Sequence, residues 1–260
     1  MSVQWISHRG ESIDAPENTL AAFRLAMTRD IDGMECDIHS TADNVLVCCH
    51  DETTTRTSGQ EKSITKSTLA ELRQLDFSAG KSAYRGERIP TLAEALAVLR
   101  PGKTFYIEIK GGNAALIEPL LTEIATAKVP LQDIVLICFD QEVCRQAKIR
   151  CPELRTLWLV SYSDEQPPQP EEVIATLCQC LADGIDLNGN RAFIDAAFVA
   201  AVKAAGFYFA VWTIDSAQRA RELIAYGVDA ITSNRAAALR DEIAGQPCTQ
   251  GSAKQTAAES

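Results

Sequence analysis

Met34-Glu35-Cys36-Asp37-Ile38 decides the fold, because apolar and acidic residues alternate along it. Successive side chains of a strand point to opposite faces, so Met34, Cys36 and Ile38 share one face and Glu35 and Asp37 the other. The same parity holds in Phe105-Tyr106-Ile107-Glu108-Ile109-Lys110, where Phe105, Ile107 and Ile109 alternate with Glu108 and Lys110. The apolar sets face surrounding helices, and the charged sets point into an enclosed space. Working outward, further β-rich runs occur at Val3–Ser7, Ile134–Cys138, Leu154–Val160, Gly184–Asn188, Phe207–Thr213 and Val228–Thr232. Amphipathic segments separate them at Thr19–Arg29, Thr91–Leu99, Ala114–Lys128, Gln141–Ile149, Glu171–Ala182, Ile194–Ala205 and Ser216–Tyr226. Strands alternating with helices from end to end predict an α/β fold, a (β/α)8 barrel over residues 1–240. No GxGxxG follows the first strand, which disfavours a dinucleotide-binding sheet.

Two irregularities interrupt the alternation. Val45–Cys49 is an extra strand behind the turn-forming Ser40-Thr41-Ala42-Asp43-Asn44, which predicts a hairpin. The region 51–90 is then too long for a plain βα loop. It is expected to form a lid or substrate wall at the barrel mouth, with one helix at Thr68–Leu75 and a flexible piece around Ser78–Gly86. From Asp241 the chain turns polar and repetitive, which predicts a disordered tail over 241–260.

Composition bounds the function. Of 260 residues 46% are hydrophobic, enough for a sizeable core, and the net charge of −10 disfavours nucleic acid and anionic membrane surfaces. An anionic substrate would need a cation or a local basic pocket. Nine cysteines without regular spacing, and no membrane-spanning apolar run, suggest reduced thiols in a cytoplasmic protein. Cys178 and Cys180 read as small buried hydrophobes sooner than as metal ligands.

The chemistry concentrates on the inward-facing charges. A barrel interior is normally filled by branched apolar side chains. Two carboxylates about 4 Å apart at an effective dielectric near 20 repel by roughly 4 kcal/mol. Glu35, Asp37 and Glu108 together therefore suggest a divalent cation, and all-oxygen ligands suit Mg2+ or Ca2+. A structural ion-pair network of the three with Lys110 and Arg9 is the competing reading. His8 and His50 end strands that open on the same mouth, and imidazoles there suit proton transfer. His39 shares the parity of Glu35 and Asp37 beyond the expected strand end and reads as a supporting or solvated group. Pro16-Glu17-Asn18-Thr19 reads first as a helix start, with fixing of the Arg9 loop as a second role for the same turn. Phe139 and Trp212, at strand ends, can line the mouth.

His8-Arg9-Gly10, Pro16-Glu17-Asn18-Thr19, Glu35-x-Asp37, His50-Asp51, Arg56-Thr57, Ile89-Pro90-Thr91-Leu92 and Glu108-x-Lys110 occur in this order. As an ordered set, continued by Val211-Trp212-Thr213 and Asp229-Ala230-Ile231-Thr232, they resemble the glycerophosphodiester phosphodiesterases. The resemblance implies a TIM barrel with an insertion after the second strand that contacts the glycerol end of the substrate. It implies His8 and His50 as the acid/base pair, Glu35, Asp37 and Glu108 as ligands of Ca2+ or Mg2+, and Arg9 and Lys110 as phosphate-binding groups. Expected substrates are small glycerophosphodiesters such as glycerophosphocholine or glycerophosphoethanolamine, with sn-glycerol 3-phosphate as product. Asp43-Asn44 departs from the family's frequent Asp-Gly in the hairpin, a change Asn tolerates. The rivals are a sphingomyelinase-D-like lipase, a non-catalytic glycerol-phosphate-binding barrel and a metal-dependent aldolase or isomerase barrel.

Overall fold

Alternation of apolar and polar side chains in the strands produces two separate interiors, one inside a cylinder and one around it. The computed structural model describes residues 3–245. Its strands are β1 (Gln4–Ser7), β2 (Gly33–Ser40), β3 (Leu46–Cys48), β4 (Thr104–Ile109), β5 (Ile134–Cys138), β6 (Arg155–Val160), β7 (Gly184–Asn188), β8 (Tyr208–Trp212) and β9 (Ala230–Ser233). The longer helices are α1 (Leu20–Thr28), α2 (Thr55–Ser58), α3 (Leu69–Leu72), α4 (Leu92–Leu96), α5 (Ile117–Ala127), α6 (Gln141–Arg150), α7 (Pro170–Gln179), α8 (Ala196–Ala204), α9 (Ala217–Tyr226) and α10 (Ala236–Ile243). β1 pairs in parallel with both β2 and β9, and β2 pairs with β4. The sheet therefore closes into a barrel of parallel strands, with β3 bonded antiparallel to β2 outside the ring. This is a TIM barrel.

Met34, Cys36, Ile38, Phe105, Ile107 and Ile109 all pack into the outer core with helix residues such as Phe23, Leu120 and Leu223. The inner core is smaller and holds Ile6, Tyr106, Val135, Ile137, Leu157, Leu159, Ala210 and Ala230. Helices begin where side chains can satisfy free N–H groups. Thr19 caps α1, and Thr91 with Glu94 forms a reciprocal capping box at α4. Asn44 closes the hairpin with φ 60°, the left-handed conformation the Asp43-Asn44 turn demands.

The insertion has its own hydrophobic cluster, in which Ile64, Leu72, Leu75, Phe77 and Ile89 pack on Val47 and Cys49. Its expected single helix is shorter than Thr68–Leu75, running Leu69–Leu72, and α2 with single 3-10 turns at Ile64–Lys66 and Ser82–Tyr84 accompanies it. The piece around Ser78–Gly86 is pinched at its base, since Asp76 accepts from the N–H groups of both Ser78 and Gly86. At the other end of the chain α10 continues through Ile243, past the expected boundary at 240, because Ala236, Ala237 and Leu239 anchor it to the core. The remainder of the expected tail, 246–260, lies outside the described residues.

Candidate active site

The C-terminal ends of β1, β2 and β4 bring the charged residues together. Glu35 and Asp37 on β2 and Glu108 on β4 are buried, and one carboxylate oxygen from each lies within 4.8 Å of the others. Register explains the meeting, because Asp37 pairs directly with Glu108 across the two strands.

The positive charges nearby compensate only part of this. Arg9 Nε lies 3.3 Å from Asp37 Oδ2, and Lys110 Nζ lies 3.4 Å from Asp37 Oδ1 and 2.9 Å from Glu108 Oε1. Burial raises the Asp37 carboxyl, but Arg9 and then Lys110 outweigh it and hold the group well below the usual carboxylate range. Burial and then repulsion from Asp37 push Glu108 up to about 7 and hold Glu35 well above the ordinary value. Two cations face three carboxylates and lower only Asp37, so an ion-pair network alone leaves the cluster short of positive charge. Asp37 Oδ1 is buried with no hydrogen-bond partner among the described residues. An oxygen-seeking divalent cation fits this donor set.

His8 follows β1, and its Nδ1 lies 2.7 Å from Asn234 Oδ1. The Asn234 amide nitrogen donates to Asp215 Oδ2 at 2.7 Å, so the Asn234 oxygen must accept and His8 Nδ1 must carry the proton. His8 Nε2 then keeps its lone pair, 4.0 Å from Glu35 Oε2. Burial, followed by the neighbouring Arg9, lowers the His8 pKa to about 4 and favours the neutral ring. His50, after β3, has a different partner: its Nδ1 lies 2.7 Å from the Asp51 carboxylate. His39 is buried within β2, not beyond its end, and its Nε2 lies 3.3 Å from the His50 carbonyl oxygen.

The turn that starts the helix also fixes the Arg9 loop, the second role expected of it. Thr19 is the cap, but Asn18, at φ 54°, donates from Nδ2 to Asp37 Oδ2 and accepts from the Asp37 N–H. Glu17 accepts from Arg9 at 2.9 Å and from Arg56. Arg56 also donates from Nε to Asp51 at 2.7 Å. A continuous chain therefore runs from His50 through Asp51, Arg56 and Glu17 to Arg9 and Asp37, linking the insertion to the barrel. Arg9 itself sits at φ 55°, and Gly10 follows at φ 76° where a Cβ would meet the Ala22 carbonyl carbon at 2.6 Å. Only glycine allows α1 to approach this loop so closely. Arg56→Ala is expected to lower kcat tens-fold, the usual cost of losing a group that orients site residues. Arg56→Lys should recover only part, since an ammonium cannot serve Glu17 and Asp51 in the same fork. Steady-state kinetics of the two variants check this.

A cavity of about 80 Å³ opens at the cluster, and His8, Arg9, Glu35, His50, Glu108 and Lys110 are among the residues that line it. Phe139 and Trp212 stand together at its rim as an edge-to-face pair with ring centroids 5.7 Å apart. Phe139 is 47% exposed. Sequence reasoning did not assign Glu17, Asn18, Asp51 and Arg56 as site residues, although each lies in a motif of the ordered set that carries the family resemblance. Asn234 and Asp215 carried no comparable signal.

Known proteins share this arrangement of chain. A glycerophosphodiester phosphodiesterase of Caldanaerobacter subterraneus subsp. tengcongensis is 29% identical over 235 residues, 88% of this chain and 93% of that protein. The solved structure of an Oleispira antarctica phosphodiesterase in complex with its product, sn-glycerol-3-phosphate, superposes with a TM-score of 0.81. It is 31% identical, with 93% of this chain and 96% of that one covered. A glycerophosphodiester phosphodiesterase structure from Agrobacterium tumefaciens str. C58 gives a TM-score of 0.76 at 26% identity, covering 91% and 99% of the two chains. Residues 8–238, from the first histidine to the last helix, match the model of the glycerophosphoryl diester phosphodiesterase family, and the chain belongs to that family.

Proposed function

We propose that this phosphodiesterase hydrolyses small glycerophosphodiesters, such as glycerophosphocholine and glycerophosphoethanolamine, to sn-glycerol 3-phosphate and the free alcohol. The observation that carries the reading is the convergence of three buried carboxylates, two cationic side chains and two differently partnered imidazoles on one cavity. Glu35, Asp37 and Glu108 hold a divalent cation, Mg2+ or Ca2+. When bound, that ion supplies Lewis-acid neutralisation of the phosphate charge.

The chain's own groups do the rest. Arg9 and Lys110 bind the phosphate oxygens. His8, whose Nδ1 is committed to a neutral amide, offers Nε2 as the base that takes the proton of the attacking hydroxyl. That hydroxyl belongs to water, or to the glycerol itself, in which case water then opens the cyclic phosphate to sn-glycerol 3-phosphate. His50, oriented by the contact of its Nδ1 with the Asp51 carboxylate, gives its Nε2 proton to the departing alcohol oxygen as the P–O bond breaks. Asp51 and Arg56 keep His50 oriented. Residues 51–90 act as a wall over the mouth, tied to the β1–α1 loop by Arg56 and by Lys81, whose Nζ donates to the Ser12 carbonyl. The eight described cysteines are free thiols, which supports a reducing, cytoplasmic setting. No helix among the described residues is long and apolar enough to cross a membrane.

Incubation with glycerophosphocholine and Mg2+ or Ca2+ should release sn-glycerol 3-phosphate. Excess chelator should stop the release, and added ion should restore it. Absence of product with both ions supplied, or full activity in chelator, overturns the reading.

A further inference from the structure

Asp215 lies in the loop between β8 and α9, outside the set of residues that line the catalytic cavity. Three donors converge on its carboxylate. Oδ1 accepts from the Ser233 hydroxyl at 2.8 Å and from the Asn234 backbone N–H at 2.9 Å, and Oδ2 accepts from Asn234 Nδ2 at 2.7 Å. An ionised carboxylate only accepts, and a backbone N–H only donates. The backbone N–H therefore pins Oδ1, and Oδ2 is left as the atom that meets the Asn234 amide.

That meeting decides which way round the amide stands. With its nitrogen drawn to Asp215, Asn234 turns its oxygen toward the loop after β1. There Oδ1 accepts from Ser12 Oγ at 3.2 Å and lies 2.7 Å from His8 Nδ1. A hydroxyl rotates to serve either end of an amide, so Ser12 does not choose between them. In a neutral imidazole, the hydrogen bond at one nitrogen sets which nitrogen carries the proton. The preference of Asp215 for a donor is thus passed through Asn234 to the ring of His8.

We infer that Asp215 is a positioning residue for the reaction, fixing through Asn234 the His8 tautomer that leaves Nε2 bare to take a proton. Its bearing on catalysis rests on the base role proposed above for His8, whereas the tautomer stands apart from that role.

Asp215→Asn keeps the shape of the side chain and reverses its polarity on one side. The Asn234 backbone N–H holds the oxygen of the new amide, so its nitrogen faces the Asn234 side chain. Asn234 then turns over and presents its own nitrogen to His8. Nδ1 has to accept, the proton moves to Nε2, and the base is blocked. The kcat on glycerophosphocholine should fall by about 10²–10⁴-fold, the range for losing a general base or holding it in the wrong tautomer. KM should stay within about threefold, because the loss falls on the transition state. Adding Asn234→Asp supplies oxygens toward both neighbours, so the double variant should return to within about tenfold of native kcat. A merely structural role predicts the opposite, since a second substitution in the same loop would add damage.

Nitrogen NMR of protein labelled in its imidazole rings, with Mg2+ present, reads the tautomer without substrate, and the chain has three histidines to assign. The His8 proton should sit on Nδ1 in the native protein and the double variant, and on Nε2 in Asp215→Asn. If Asp215→Asn does not fold, Asn234→Leu, which offers His8 no acceptor, takes its place with a kcat loss in the same range. A native ring protonated on Nε2, native kcat in the single variant, or a double variant no better than Asp215→Asn overturns the inference. A native protein with the proton on Nδ1 that hydrolyses no glycerophosphodiester would instead sink the proposed function and leave the tautomer assignment standing.

Discussion

With His50 replaced by alanine, hydrolysis of glycerophosphocholine falls by about 10²–10⁴-fold, the range expected for losing a general acid. The same variant loses only about tenfold on glycerophospho-p-nitrophenol, because a nitrophenolate leaves without needing a proton. His8→Ala behaves differently and loses the larger factor on both esters, since the attacking hydroxyl still has to be deprotonated. The asymmetry follows from the partners of the two rings. His8 Nδ1 is held by Asn234, a neutral acceptor, and His50 Nδ1 by Asp51, a carboxylate. His50 is partly exposed, so its removal leaves no closed cavity and the thermal midpoint should stay near native. Equal losses of the His50 variant on both esters would reverse or remove the assignment, and near-native activity of either variant would end it.

Glu35→Gln should abolish the metal response while stabilising the chelated protein. Like charges are brought together here without a matching number of cations, so the metal-free site opposes folding. Neutralising Glu35 relieves that repulsion and should raise the melting temperature in chelator by several degrees. Native protein should instead gain stability on addition of Mg2+ or Ca2+, as binding to the folded state requires. The pH dependence has a definite sign. Glu108 binds its proton more tightly folded, at about 7 against an ordinary 4.5, so chelated protein loses stability as pH rises from 4.5 through 7. Glu35, also raised, acts in the same direction. Asp37 is shifted downward, and its contribution is lost only as pH falls below the ordinary carboxylate range. Ion affinity should rise over the window in which the chelated protein weakens, because binding displaces protons. Thermal melts across pH, with chelator and with ion, read all of this. A chelated melting temperature that rises from pH 4.5 to 7, or an undiminished ion response in Glu35→Gln, would refute it.

The chain of contacts behind Arg9 shows where local reading stopped. Pro16-Glu17-Asn18-Thr19 does start a helix, and Thr19 does cap it. The capping pattern says nothing of where Glu17 and Asn18 point, however, because their partners Arg56 and Asp37 are set by β2 and the insertion. Asp51 was visible beside His50, yet its bond to Arg56 depends on how α2 turns back toward the barrel.

The alternation in Met34–Ile38 and Phe105–Lys110 was enough to divide helix-facing from inward-facing side chains, since strand parity is a local property of the backbone. It also placed Glu35, Asp37 and Glu108 in an enclosed interior, and the recurrence of strand and helix pointed to a closed barrel. Distances between strands were beyond it. Closure of β1 onto both β2 and β9 brings Asn234 to His8 across 226 positions of chain, and the pairing of β2 with β4 sets Glu108 beside Asp37. Those partnerships arise from the register of paired strands, a long-range quantity that no short stretch of residues encodes alone.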